Sequence, residues 1–297
     1  FALTHNYSGY PMIRQAKAMV AAGELGEIRV VQGEYPQDWL TTALEKTGQK
    51  QAAWRTDPKR SGAGGCIGDI GTHTYQLMCD VSGLKAEELS ADLTSFVKGR
   101  VLDDNANVML RFKGSAKGML WASQVAPGNE NGLKIRVYGT KGGLEWKQED
   151  PNQLWYTPYG EPKRLITRGG AGSNAAAGRV TRVPPGHPEG YLEGFANVYS
   201  EVARAIKARR LGRKPDKDVA FPGIADGVDG DLEIVECGAA HQVAQLGIRG
   251  DPQAAGARRI GIGLLQAGPA RSQRAVVIGL DCARHEHGVT VPVRPPG

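Results

Sequence analysis

The chain has 297 residues, 40% hydrophobic and 23% charged, with a formal net charge of +6. This allows one large or two ordinary domains with a sizeable core and reads as a soluble globular protein, since no apolar run reaches membrane-spanning length and the start resembles no signal peptide. The charge is not the footprint of a nucleic-acid binder: from Cys237 onward there are seven Arg, no Lys and three acids, so +4 of the +6 lies in the tail, and the aromatics sit in strand-like segments rather than on a basic face.

Phe1–Thr4 reads as the end of a strand, and a chain that starts there without Met is expected to be a piece of a longer protein. His5 to Tyr10 form a polar, aromatic loop. Pro11 opens a helix in which Met12, Ala16, Met19 and Val20 recur at helical spacing, and Gly23 closes it. Ile28 to Tyr35 are rich in strand formers. Residues 36–60 carry Trp39 and Trp54 without clean periodicity, a long surface excursion of the kind that lines sites.

Five glycines then fall between Gly62 and Gly71, ahead of a helical pattern of Ile70, Leu77, Met78 and Val81. Asp69 stands where an N-cap belongs. Asp69 and His73 are four apart and share a helix face. A carboxylate beside an imidazole is a proton-handling pair, the acid orienting the ring and supporting its charged form. The glycines are not a dinucleotide fingerprint, because Gly62-x-Gly64 is followed by Ile67 where a third glycine belongs.

Alternating segments follow at 89–98, 105–112, 116–124, 133–139, 143–147 and 153–157, separated by short turns. They predict an α/β (α+β) fold with an open, mainly antiparallel sheet and the helices around 69–81 and 188–209 on one face. The other face is expected to be apolar, with Trp121 and Trp146 contributing, and to form a homo-oligomer. Residues 168–185 are a Gly/Ala/Pro-rich loop. Pro188 to Arg209 is the clearest helix, with Tyr191, Phe195, Val198, Val202 and Ile206 as a core-facing stripe. Residues 223–236 predict a further helix. From 237 the composition turns to Gly, Ala and Arg, the texture of a shifted reading frame or a disordered tail. His285-Glu-His287 in this tail has no further ligand nearby. The four cysteines (66, 79, 237, 282) lack metal or redox spacing and predict free, mostly buried thiols in a reducing cytoplasm. Asp103-Asp104-Asn105 has the look of a metal cluster and is read as a turn before a strand. Hydrolase motifs are absent.

Three features together resemble the Gfo/Idh/MocA oxidoreductases. They are Pro11-Met-Ile-Arg-Gln-Ala-Lys leading to Gly23-Glu-Leu-Gly-Glu-Ile, Trp54-Arg55 ahead of Gly64-Gly65 and Gly68-Asp-Ile-Gly-Thr-His73, and the meander followed by a long helix. The resemblance covers residues 1–236. It implies a C-terminal sheet domain (27–236), the exit of an N-terminal nucleotide-binding domain (1–26), and an atypical tail (237–297). The implied activity is hydride exchange between NAD or NADP and a sugar or polyol. His73 is the implied proton-transfer residue, and Asp69 positions it and the substrate. Arg55, with Trp54, is implied near the substrate and the cofactor. His5 and Asn6 fall in a loop that, by the resemblance, opens at the cofactor, the alternative being a solvated loop. Tyr10 either hydrogen-bonds a substrate hydroxyl or packs, packing being the better reading, and His187 either caps the long helix or reaches the substrate. The family's glycine fingerprint and Glu-Lys-Pro motif do not occur in these residues, so cofactor binding attaches to a longer parent. No metal, nucleic acid or membrane partner is implied. The alternative is a non-catalytic sheet domain for dimerisation or sugar binding.

Overall fold

The computed structural model describes residues 1–230 and two short stretches, 263–264 and 276–279. Its sheet is built around one strand, β1 (Ile28–Pro36). Strands β2 (Ala86–Thr94), β3 (Asn105–Phe112) and β4 (Lys117–Ser123) form one antiparallel meander. Strands β5 (Lys134–Gly139), β6 (Gly142–Lys147), β7 (Gln153–Pro158) and β8 (Arg164–Thr167) form a second. The first meander meets β1 in parallel through β4, and the second meets it antiparallel through β5. The spatial order is β8-β7-β6-β5-β1-β4-β3-β2, and short strands β9 (Gly263–Leu264) and β10 (Val276–Gly279) continue beyond β2. Every pairing except β1–β4 is antiparallel, as the alternation predicts.

The parallel pair follows from what lies between β1 and β2. The helix α4 (Thr72–Ser82) returns the chain along the inner face, so β2 runs in the same sense as β1 and β4 comes back parallel beside it. Alternation sets the faces: Ala106, Val108, Leu110 and Phe112 of β3 are buried, while Asn107, Met109 and Arg111 are exposed. Leu77, Met78 and Val81 of α4 join that core, each fully buried side chain contributing roughly 1.5–3 kcal/mol. A Cβ on Gly33 of β1 would sit 2.6 Å from both Met78 Sδ and Thr74 Cγ2. The helix therefore crosses the central strand at a distance only glycine permits, and this fixes where α4 carries His73. The helix α1 (Pro11–Ala21) packs on α4, with Met12, Ile13, Ala16 and Met19 buried.

Several expectations are corrected. Phe1–Thr4 is irregular rather than a strand, tied by Leu3 N–H to Pro222 O at 2.9 Å. The loop after it is a buried 3₁₀ turn, Asn6–Gly9. The long helix, here Tyr191–Arg210, does not lie on the sheet: it packs on that turn, and it buries Gly194, Asn197 and Glu201 together with Val198, the one residue of the apolar stripe that is fully buried. The cause is backbone approach. A Cβ on Gly9 would meet Gly194 O at 2.2 Å, so the small-residue line of the helix faces inward, and Asn197 donates to Gly9 O and Val180 O. Tyr191 and Ile206 are left exposed and Phe195 half-buried. Trp146 is fully buried against Tyr10, so it is core and not interface. The 168–185 segment contains a short helix, Ala175–Val180, and β8 was not anticipated.

Residues 224–230 are helical, as predicted for the start of that segment. The rest of it, Cys237, Cys282 and His285-Glu-His287 lie outside the described residues. Cys66 is a free, buried thiol, and Cys79 is half-buried. Among the described residues no helix is long and apolar enough to cross a membrane.

Candidate active site

The glycine-rich turn does not end in a side-chain cap from Asp69. Residues Ile67–Gly71 form a π-helical turn that runs directly into α4, a feature frequent at functional sites. The buried N–H groups leading into this turn are satisfied from across the fold. The buried Asp103 carboxylate accepts from Gly65 N–H at 2.6 Å and Ile67 N–H at 2.8 Å. Cys66 donates both its thiol, at 3.0 Å to Oδ2, and its N–H, at 2.9 Å to the Asp103 carbonyl. Burial, then the Asp103 charge, pushes the Cys66 thiol up, so it stays neutral. Asp104 accepts from Phe96 and Val97 N–H and from Arg100. The acidic pair is thus structural, at the strand entry the sequence predicts.

Released from capping, Asp69 turns to a cleft of about 690 Å³. Its Oδ2 accepts from Arg55 Nε and from Gln124 Nε2, each at 2.8 Å. Arg55 is itself prepared by the excursion that precedes it. Gln49 caps the helix α2 (Lys50–Arg55) by accepting from Ala52 N–H, Gln51 accepts from Arg55 Nη1, and the guanidinium lies 4.3 Å from the Trp54 ring centroid, a cation–π contact. Trp39 is a second, more distant ring at 5.9 Å.

His73 lines the same cleft, one turn further on. It hydrogen-bonds His5 rather than Asp69, Nδ1 to Nδ1 at 3.1 Å, the rings edge-on at 5.0 Å. Tyr7 meets it from another side, 5.3 Å between centroids. Burial, then the His5 charge, pushes the His73 imidazolium down to about 4, so the ring is neutral at neutral pH.

The far wall is a chain of hydroxyls and amides. Tyr7 and Tyr35 share a hydrogen bond of 2.5 Å, Tyr35 donates to Asn131 Oδ1 at 2.7 Å, and Gln37 Nε2 donates to the same oxygen at 3.0 Å. Asn131 Nδ2 donates to Gln148 Oε1 at 2.7 Å. Burial pushes both phenols up, so Tyr7 and Tyr35 are hydroxyl donors and not bases. Asn6 also lines the cleft; it is 2% exposed and its Nδ2 has no partner. Leaving a buried donor unpaired costs about 1–3 kcal/mol, which a ligand carrying an acceptor would recover.

The structure therefore brings His73, Asp69, Arg55 and Asn6 to one cleft, with His5 against His73 and Trp54 behind Arg55. It does not bring Tyr10 or His187. Tyr10 is buried between Tyr7 and Trp146, its hydroxyl accepting from Gln148 Nε2 at 3.4 Å and pushed up to about 12 by burial. His187 is exposed in a turn, its carbonyl accepting from Arg168, and the long helix is capped by Glu193 reaching back to Gly190 N–H. Sequence reading missed Tyr35, Gln37, Gln124, Asn131 and Gln148. Tyr35 lies in a strand, Gln37, Gln124 and Gln148 directly follow strands, and Asn131 lies in the loop before β5; only the sheet order brings them together.

Residues 13–145 match the GFO/IDH/MocA C-terminal domain family, and the homologues are oxidoreductases. A curated relative, the "Uncharacterized oxidoreductase YfiI" of Bacillus subtilis (strain 168), is 34% identical over 238 residues, 79% of this chain and 61% of its own length. The crystal structure of an oxidoreductase from Sinorhizobium meliloti is 58% identical with a TM-score of 0.72, covering 82% of this chain and 62% of that one. An inositol dehydrogenase homolog from Azotobacter vinelandii, complexed with NADH and myo-inositol, is 34% identical with a TM-score of 0.73, covering 83% and 62%. The chain thus spans about three fifths of the length of these relatives.

Proposed function

We propose that this chain is the substrate-binding and proton-transfer part of a nicotinamide-dependent oxidoreductase that interconverts a secondary alcohol of a polyol or sugar with its ketone. The observation that carries the reading is a neutral imidazole, His73, in a polar cleft walled by hydroxyl and amide groups. Myo-inositol in the Azotobacter relative supports the substrate class. The wall suits it: Tyr35, Gln37, Asn131 and Gln148 pair with one another in a fixed array, a template for several vicinal hydroxyls.

In this reading, residues 27–236 are the substrate domain, residues 1–26 the exit from a nucleotide-binding domain, and the tail a separate element. Asn6 and Arg55 are the groups on this chain that fit a nicotinamide, Asn6 because its buried amide lacks an acceptor. NAD or NADP, when bound, supplies the hydride acceptor. The chain's own residues do the rest. His73 takes the hydroxyl proton as the C–H bond breaks, a role suited to a ring that is unprotonated at neutral pH. Asp69, held by Arg55 and Gln124, keeps a fixed carboxylate at the substrate hydroxyls. Trp54 stacks on Arg55 and fixes its plane. The outer sheet face exposes Met109 (70%) and Met119 (51%) around a half-buried Trp121, and we assign it to a homo-oligomer contact.

The test is a screen of the full-length parent against polyols, sugars and simple secondary alcohols, following reduced nicotinamide. Turnover with a polyhydroxylated secondary alcohol is expected. A parent that binds nicotinamide yet reduces it with none of them would overturn the reading.

A further inference from the structure

We propose that His5 is a second proton carrier, receiving through His73 the proton that leaves the substrate hydroxyl and releasing it at the rim of the cleft. The inference rests on the functional reading above and adds a residue that this reading leaves without a task.

The geometry is a contact between like atoms. Two Nδ1 nitrogens 3.1 Å apart form a hydrogen bond only if one carries a proton and the other a lone pair. If His5 were the donor, His73 would hold its proton on Nε2 and could not act as a base there. If His73 donates from Nδ1, its Nε2 is unprotonated, and with Nδ1 engaged Nε2 is the nitrogen left for the substrate. His5 then holds its own proton on Nε2. Only this arrangement fits a proton-accepting His73, so the contact selects the tautomer.

The same bond gives the proton an exit. When the substrate O–H proton bonds to His73 Nε2 and the C–H pair leaves as hydride to the oxidised nicotinamide, His73 becomes a cation in a site that disfavours one. Transfer of its Nδ1 proton to His5 Nδ1 restores a neutral His73. His5 is half-buried between Thr4 and Asn6, two residues of the cleft lining, and its Nε2 proton passes to water there. One proton enters at Nε2 of His73 and one leaves at Nε2 of His5, with charge conserved; the dyad is reset once product has left, when water takes the Nε2 proton of His73, the Nδ1 proton returns from His5 to His73 and water reprotonates His5 Nε2. The other titratable groups facing the pair do not compete for this proton. Tyr7 and Tyr35 are neutral phenols, and Asp69 is held by Arg55 and Gln124.

Two variants separate relay from orientation. His5→Asn keeps an acceptor oxygen near Nδ1 but cannot pass a proton on; His5→Phe removes both functions. Imidazole ¹⁵N spectra of the full chain read the tautomer without any turnover. We expect His73 protonated on Nδ1 and not on Nε2, and a midpoint that rises in His5→Asn because the like charge at 3.1 Å is gone. An Nε2–H tautomer, or a midpoint indifferent to His5, overturns the dyad. In the parent, both variants are expected to lower kcat roughly tenfold or more, with KM for substrate little changed. Near-normal kcat in His5→Asn with loss only in His5→Phe overturns the relay and leaves His5 an orienting residue. A wild-type parent inactive on every secondary alcohol overturns the functional reading and the relay with it, while the spectra still decide the dyad.

Discussion

Asp103 and Asp69 flank the same glycine-rich turn and are used in opposite ways. Asp103 is buried, with two backbone N–H groups and a thiol donating to its carboxylate. Asp69 is a quarter exposed, held through one oxygen by two side chains, and faces a cleft that also contains an amide without a partner. Charge and residue type do not distinguish them. What does is whether the valence is completed inside the fold or left for something outside it. The first carboxylate holds the turn in place; the second is held in place by it.

Breaking the structural side should have the largest effect on stability. Asp103→Ala leaves Gly65 and Ile67 N–H buried without acceptors, and at about 1–3 kcal/mol per orphaned group a loss of about 2–5 kcal/mol is expected in urea unfolding. Gln124→Leu removes one of two donors to a partly exposed carboxylate and should cost only about 1 kcal/mol or less, while lowering kcat in the parent more than it lowers the melting temperature. If Gln124→Leu destabilised the chain as much as Asp103→Ala, the distinction between the two carboxylates would fail.

Acid sharpens the same contrast. Unfolded, His73 takes a proton near pH 6.5; folded, it does so only at about 4, because burial and His5 oppose its charge. Between those values the unfolded chain binds more protons, so stability should fall as pH drops through the window. Urea midpoints at pH 7 and 4.5 should show this slope, and it should be flatter in His73→Asn. The smallest effect on folding belongs to the outer sheet face. Met109→Glu with Met119→Lys should change stability by no more than about 0.5 kcal/mol each yet convert an oligomeric parent to monomer in light scattering.

Much of the fold is legible in the sequence because strand alternation is a local signal. The six predicted strands are recovered, and the Asp69–His73 spacing places both side chains at one cleft. What the sequence hides is non-local. Asp103 caps a turn 36 residues away, so the nearest acid, Asp69, looks like the cap. The stripe from Tyr191 to Ile206 has the spacing of a core, but Gly9 against Gly194 brings two backbones together, so Val198 alone is fully buried and the two ends of the stripe turn outward. Tyr35 and Asn131 lie on opposite sides of more than ninety residues, and only the insertion of β1 between two meanders makes them neighbours.

The central claim is that His73 exchanges a proton with substrate and is not merely packed. Turnover and melting temperature of His73→Ala in the full-length parent test it on one variant. The account predicts a kcat lower by about 10²–10⁴-fold with nicotinamide affinity and melting temperature close to wild type. A His73→Ala enzyme that melts lower but turns over at a near-normal rate would contradict it.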